Sequence, residues 1–273
     1  DVAKAYILYR RQREKLRNMK STVLDYKDIV DSYVKVTDWR VKENSTVTYS
    51  VGGLILNNSG AITANYWLSE IYDDEISNAH RNADIHIHDL SMLTGYCAGW
   101  SLKQLIQEGL GGITGKISSS PAAHLSVLCN QMVNFLGIMQ NEWAGAQAFS
   151  SFDTYLAPFV KVDNLTYEQV KKCIESFVYG VNTPSRWGTQ SPFTNITLDW
   201  VVPNDLAEMN ALVGGKEMDF KYKDCVEEMA MVNKAFIEIM IEGDANGRGF
   251  QYPIPTYSIT SDFDWSETEN NKL

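Results

Sequence analysis

Residues 84–102 read DIHIHDLSMLTGYCAGWSL. The alternation at the start is that of a strand, with Ile85 and Ile87 on one face and His86 and His88 on the other. Asp84 and Asp89 flank the histidines, and Cys97 follows among small residues. Three readings suit such a set: a metal site, a thiol with its pocket wall, or a packed strand. An HxH pair on a strand points both imidazoles one way, a common beginning for a mononuclear metal site. Completing it takes more ligands, and the only other histidines are His80 and His124, with no HExxH motif. We therefore expect no metal here and favour an active-site wall, with a plain packed strand as the alternative.

Outward from this strand, helical and strand patterns alternate without tandem repeats, which predicts an α/β architecture. The segment TVTYSVGGLIL, residues 46–56, reads as a strand that turns or bulges at Gly52 and Gly53. In SSSPAAHLSVLCNQMVNFLGIM, Ser120 and Pro121 read as the N-cap and first residue of a helix over 121–139. Leu125, Leu128, Met132, Phe135 and Met139 recur there at helical spacing and are expected in the core. Val127, Leu136 and Ile138 lie off that face, so the helix needs a second cover, and a twofold partner would supply it. Further helices are predicted over 166–181 and 222–242, and the polar stretch 204–220 reads as an excursion.

Composition narrows the function. With 273 residues, 44% of them hydrophobic, the chain is long enough to build its core without disulfides. A net charge of −10 argues against a nucleic-acid surface, which needs a basic face to displace counterions from phosphate. Cys97, Cys129, Cys173 and Cys225 are widely spaced with no CxxC pair, unlike a zinc knuckle or a secreted disulfide framework. No apolar run reaches the roughly 18 residues of a membrane span, and no leader opens the chain, so a cytoplasmic protein without membrane contact is expected. The basic helix AKAYILYRRQREKLRNMK and the absence of an initiator methionine suggest a piece of something longer.

Four long blocks carry a resemblance: TYSVGGLILNNSGAITANYWLSEIYDDEISNAHRNADIHIHDLSMLTGYCAGWSL, SSSPAAHLSVLCNQMVNFLG, EWAGAQAFSSFDTYLAPFVK and NTPSRWGTQSPFTNITLDW. Together, and in this order, they resemble the anaerobic, class III ribonucleoside-triphosphate reductases, which are glycyl-radical enzymes. The resemblance implies half of a ten-stranded α/β barrel with helical dimer-interface elements. Residues 1–20 would be a connector from an absent ATP-cone, and 21–273 the N-terminal part of the catalytic barrel. It implies reduction of ribonucleoside triphosphates to deoxyribonucleotides, with Cys97 in GYCAGW as the reducing cysteine on the first barrel strand. A cysteine oxidised to a thiyl by a stored glycyl radical, and a structural zinc site, would belong to the missing C-terminal part; without them the chain is expected to be inactive. Mg-nucleotides, formate or a thiol protein as reductant, a radical-SAM activating enzyme and a homodimeric partner are implied as well.

The same resemblance assigns the remaining polar blocks. His86, His88, Ser185, Arg186, Gln190, Ser191 and Asn195 are the expected substrate-binding residues, Arg186 toward phosphate and Asn195 toward a ribose hydroxyl. Lys116, Ser119, Ser120, His124, Gln131 and Asn134 are the expected dNTP or ATP effector site, at a helix N-terminus whose free N–H groups suit an anion. Two other functions stay open at this stage: a metal-dependent hydrolase built on the HxH strand, and a dNTP-sensing module without chemistry at Cys97.

Overall fold

The structure, a computed structural model, describes residues 6, 7, 10, 26–35, 50–111, 117–186, 190–261, 263, 265, 266 and 271. The expected connector helix over 1–20 lies almost wholly outside these residues, as does Lys116. The chain divides into two compact units, Asp1–Tyr96 with Trp187–Gln190, and Cys97–Arg186 with Ser191–Leu273.

In the first unit, α1 (Tyr26–Val34) buries Ile29 and Tyr33. It packs on α2 (Val51–Tyr66), which runs on through a π turn at Trp67–Ile71. The strand expected over 46–56 is thus corrected: from Val51 onward the chain is helical, and residues 46–49 lie outside the described set. Ser50 accepts a hydrogen bond from the Gly53 amide at 2.9 Å and caps the helix. A Cβ at Gly53 would lie 2.1 Å from the Tyr33 hydroxyl oxygen, so this glycine serves close helix approach rather than a turn.

Helix α3 (Asp74–Arg81) follows. The expected strand at His86 and His88 is corrected too, for residues 83–97 carry no strand. The Ile87 amide donates to His80 Nδ1 at 3.1 Å instead of to a neighbouring chain. Ala83 and Asp89 both adopt left-handed backbone, φ 64° and 53°, which breaks an extended run on either side of the histidines.

The second unit holds a four-stranded, all-parallel sheet in the order β1 (Ala98–Trp100), β2 (Gln147–Phe149), β3 (Thr194–Leu198), β6 (Ile254–Tyr257). Helices cross over between the strands: α4 (Leu102–Glu108) and α5 (Leu125–Met139) before β2, then α6 (Phe152–Val162) and α7 (Tyr167–Asn182) before β3. After β3 come a short helix α8 (Asn204–Ala207), an antiparallel hairpin of β4 (Asn210–Val213) and β5 (Lys216–Lys221), and α9 (Val226–Glu242). The polar excursion is this hairpin, turned by Gly214 and Gly215 at φ 63° and 73°. The predicted helices at 166–181 and 222–242 are present, the first with a Thr166–Gln169 capping box and the second preceded by one 3₁₀ turn.

Helix α5 starts at Leu125, four residues after the predicted Pro121. The intervening backbone is bonded elsewhere: the Ala122 carbonyl accepts from the Gly214 amide of the hairpin turn at 3.1 Å, and Ser119 bridges to Leu110. Leu125, Leu128, Met132 and Leu136 of α5 are fully buried with Phe149, Phe152, Phe159, Phe177 and Phe236. Leu136 therefore belongs to the core, whereas Val127 and Ile138 are exposed. Gln147 ties sheet to helix, accepting from Trp100 Nε1 at 2.9 Å and donating to the Leu136 carbonyl at 3.1 Å.

Candidate active site on the open face of the parallel sheet

Period-two alternation divides the sheet into a helix-covered and an open face. Gln147, Phe149, Thr194, Ile196 and Leu198 are buried on the covered face. The register sets Gly99, Ala148 and Asn195 side by side across β1, β2 and β3 on the other, with Asn195 next to Ile254 of β6. A Cβ at Gly99 would meet nothing within 4 Å. The row is a shallow floor of small side chains, and Cys97 stands two residues before Gly99.

Cys97 is the exposed cysteine, whereas Cys129 and Cys225 are buried and Cys173 half-buried. Burial pushes the thiols of Cys129 and Cys173 up and that of Cys225 to about 12, which keeps them protonated and inert. Asn195 Nδ2 donates to Thr256 Oγ1 at 3.2 Å, so a carboxamide and a hydroxyl from adjacent strands form a fixed polar pair on the open face. Sequence reasoning missed Ala148 and Thr256. Small residues in WAGAQAF were a signal for the first, but which strand lies beside which cannot be counted from spacing alone.

Most of the second polar block faces elsewhere. Arg186 is 8% exposed, donating from Nε to the Gln140 carbonyl at 2.8 Å and from Nη2 to the Trp143 carbonyl at 2.6 Å. It fastens the end of α5, and its guanidinium is not open to phosphate. Ser185 Oγ accepts from Gln140 Nε2. Ser191 is 7% exposed and donates to the Asn182 carbonyl at 2.7 Å. Of the four second-unit residues in this block, Asn195 alone lies on the open face. Gln190 groups with His86 and His88 in the first unit.

In that unit three imidazoles gather. His86 and His88 meet edge to face with ring centroids 4.6 Å apart, His80 lies 5.8 Å from His86, and Tyr96 6.2 Å from His88. Among the described residues no group of three or more His, Cys, Asp or Glu is arranged to hold a metal ion. No helix among them is long and apolar enough to cross a membrane.

The expected effector set is brought together only in part. The start of α5 is already occupied by a carboxylate: Asp163 pairs with His124 Nδ1 at 2.8 Å and accepts from the Leu125 amide at 3.4 Å. A phosphate placed there would meet a fixed negative charge. Gln131 is buried and donates to Ser119 Oγ at 2.8 Å and to the Ser120 carbonyl at 2.7 Å. Asn134 is exposed, bonded within its own helix to Asn130.

The sequence pattern of the family described as anaerobic ribonucleoside-triphosphate reductase matches residues 43–273. Solved structures of the anaerobic ribonucleotide reductase from Thermotoga maritima share the fold. Its complex with dATP and CTP matches at TM-score 0.60 and 20% identity, over 84% of this chain and 40% of that one. The form with dATP bound in the specificity site gives 0.66 and 22% over 90% and 42%, and the form with MES in the active site 0.66 and 21% over 96% and 44%. This chain thus spans less than half the length of those it matches. No curated protein matches it.

Proposed function

The chain belongs to the anaerobic ribonucleoside-triphosphate reductase family, and from that premise we propose that its open sheet face is the floor on which a ribonucleoside triphosphate is reduced, with Cys97 as the hydrogen donor. The observation that carries this reading is the placement of Cys97: an exposed thiol at the head of the first parallel strand, above a glycine with open space over it. A ribose can approach the backbone closely at Gly99. The Asn195 and Thr256 pair is suited to hold its hydroxyls.

In the proposed reaction the substrate loses its 3′ hydrogen atom and then its 2′ hydroxyl as water, leaving a carbon-centred radical. The Cys97 S–H bond is weaker than an alcohol O–H bond, so the thiol gives its hydrogen atom to carbon and is left as a sulfur radical. A two-electron reductant then supplies two electrons with their protons: formate, released as carbon dioxide, or a small thiol protein, left as a disulfide. The first restores the Cys97 thiol. The second converts the 3′ carbonyl left by the loss of water into a 3′ alcohol radical, and that radical takes its 3′ hydrogen atom back to give the deoxynucleotide. The stored glycyl radical, a zinc-binding cysteine set, Mg-nucleotides and the radical-SAM activating enzyme enter this proposal only through the family.

Two further parts of the reading concern nucleotide control. The related Thermotoga maritima enzyme binds dATP in its specificity site. For this chain we assign a deoxynucleotide effector to the exposed Ser119–Ser120 segment and Asn134, without His124, whose ring is held by Asp163. A homodimer through α5 is part of the same proposal.

The test is Cys97→Ser in an active reductase containing this chain. Deoxynucleotide formation is expected to vanish while the glycyl radical signal in electron paramagnetic resonance persists, because the donor is removed and the store is not. Cys173→Ser, half-buried and outside the site, is expected to retain turnover. Full turnover in Cys97→Ser would overturn the assignment.

A further inference from the structure

In the first unit the segment that carries His86 and His88 is tied back to the end of α3. The Ala79 carbonyl takes the Asp84 and Ile85 amides at 2.9 and 3.3 Å, and further along the Ile87 amide donates to His80 Nδ1 at 3.1 Å. His80 is 5% exposed. A ring nitrogen that accepts a hydrogen bond carries no proton, so this imidazole is neutral, with its proton on Nε2. An imidazolium has two N–H donors and no acceptor. Protonation of His80 would set one N–H against another and place a charge in a buried site, where charge is costly.

Two further features bear on this bond. Ala83 and Asp89 bracket the segment with left-handed backbone, φ 64° and 53°, a conformation that persists at such residues only where the surroundings hold it. The rings are also crowded, with centroids 5.8 Å apart for His80 and His86 and 4.6 Å for His86 and His88, so a charge gained by one opposes a charge on the next. The other charged groups belong to the same elements. Arg81, next in α3, is buried and donates from Nη2 to the Leu68 carbonyl of the π turn at 2.9 Å. Asp84 pairs with Arg10 at 3.7 Å. Glu70 lies exposed on the π turn, Asp74 and Glu75 in the first turn of α3, and Asp89 just past His88.

We propose that His80 is a proton-operated latch on residues 84–88. Neutral, it holds the Ile87 amide and with it the packing of His86 and His88; protonated at Nδ1 by solvent, it releases them. The latch belongs to the first unit and does not depend on the hydrogen donation assigned to Cys97.

The test is hydrogen exchange of the whole 273-residue chain. The Ile87 amide is followed by nuclear magnetic resonance at about pH 8 and about pH 5.5, on either side of an ordinary histidine titration, with correction for the intrinsic rate at each pH. Protection of Ile87 is expected to fall about tenfold or more on acidification, the scale of one lost buried hydrogen bond, while amides within α5 lose none. His80→Asn keeps a side-chain acceptor that cannot titrate, and its Ile87 protection is expected to be the same at both pH values. In the wild-type chain with ¹⁵N-labelled histidine, His80 Nδ1 is expected to be unprotonated at the higher pH and to gain its proton with the same midpoint at which Ile87 loses protection. Unchanged Ile87 protection in the wild type, an equal fall in a folded His80→Asn variant, or a proton on His80 Nδ1 at the higher pH would overturn the proposal.

Discussion

Asp153 and Asp199 bury two carboxyl groups beside the end of β3, at 0% and 5% exposure. Asp153 accepts from the Asp199 and Trp200 amides at 2.8 and 2.9 Å and from Asn233 Nδ2 at 2.9 Å, and Thr154 donates to Asp199 at 2.6 Å. Burial nonetheless holds both acids above the ordinary carboxylate value, and for Asp199 the nearby Asp153 charge adds to it. An acid whose pKa is raised on folding binds its proton more tightly in the native state, so stability is greatest below the unfolded value near 4 and falls as pH rises through the raised one. Asp199→Asn is expected to flatten that decline in urea titrations taken across this range. An unchanged slope would show that Asp199 does not titrate there. At this scale the sequence was informative about chemistry and poor about direction. Cys97 was singled out through the resemblance of its block, to which the structure adds that the thiol is exposed beside the open space at Gly99, whereas Arg186 looked like a phosphate ligand because nothing in NTPSRWGTQ shows that two carbonyls at the end of α5 claim its guanidinium.

The helices that could be read directly are those whose buried face is set by their own periodicity, α7 and α9. Those misread are governed by partners distant in sequence. Residues 46–56 are rich in β-branched residues and glycine, yet from Val51 they are helical, with Ser50 capping the first turn and Gly53 leaving the space that Tyr33 of α1 fills. The HIHD run alternates like a strand, but its amide goes to His80 and no ladder forms. The start of α5 was misplaced because the Ala122 carbonyl is taken by the hairpin turn. The contact between α5 and α7 is equally a matter of one glycine. A Cβ at Gly180 would fall 2.7 Å from Val133 Cγ2 and 2.8 Å from its Cγ1, and the branched valine has no free end to swing away. Gly180→Ala is expected to push the helices apart and cost about 1–3 kcal/mol, as overpacked cores do, despite the better helix propensity of alanine. Chemical denaturation of the variant measures this, and a stability equal to or above wild type would mean the helices yield freely.

For the molecule as a whole, the question is what covers the second side of α5. Its inner side is spent on the core through Leu125, Leu128, Met132 and Leu136, leaving Val127 at 41% and Ile138 at 61% exposure with Asn130 and Asn134 between them. These four positions, spaced three, four and four residues, form one stripe. On the adjoining α7, Tyr179 is 66% exposed. A stripe with an apolar residue at each end and amides in the middle is self-complementary under a twofold axis. An antiparallel copy sets Val127 against Ile138, Asn130 against Asn134, and the reverse. The proposed dimer therefore needs no further element than α5 itself. Ile138→Glu places a carboxylate against the apolar end of the partner stripe twice per dimer, once at each symmetry-related contact, while touching nothing in the core. Sedimentation velocity is expected to show a dimer for the wild-type chain and a monomer for this variant, with circular dichroism unchanged. A wild-type chain that sediments as a monomer, or an Ile138→Glu variant that stays dimeric, would move the interface away from α5.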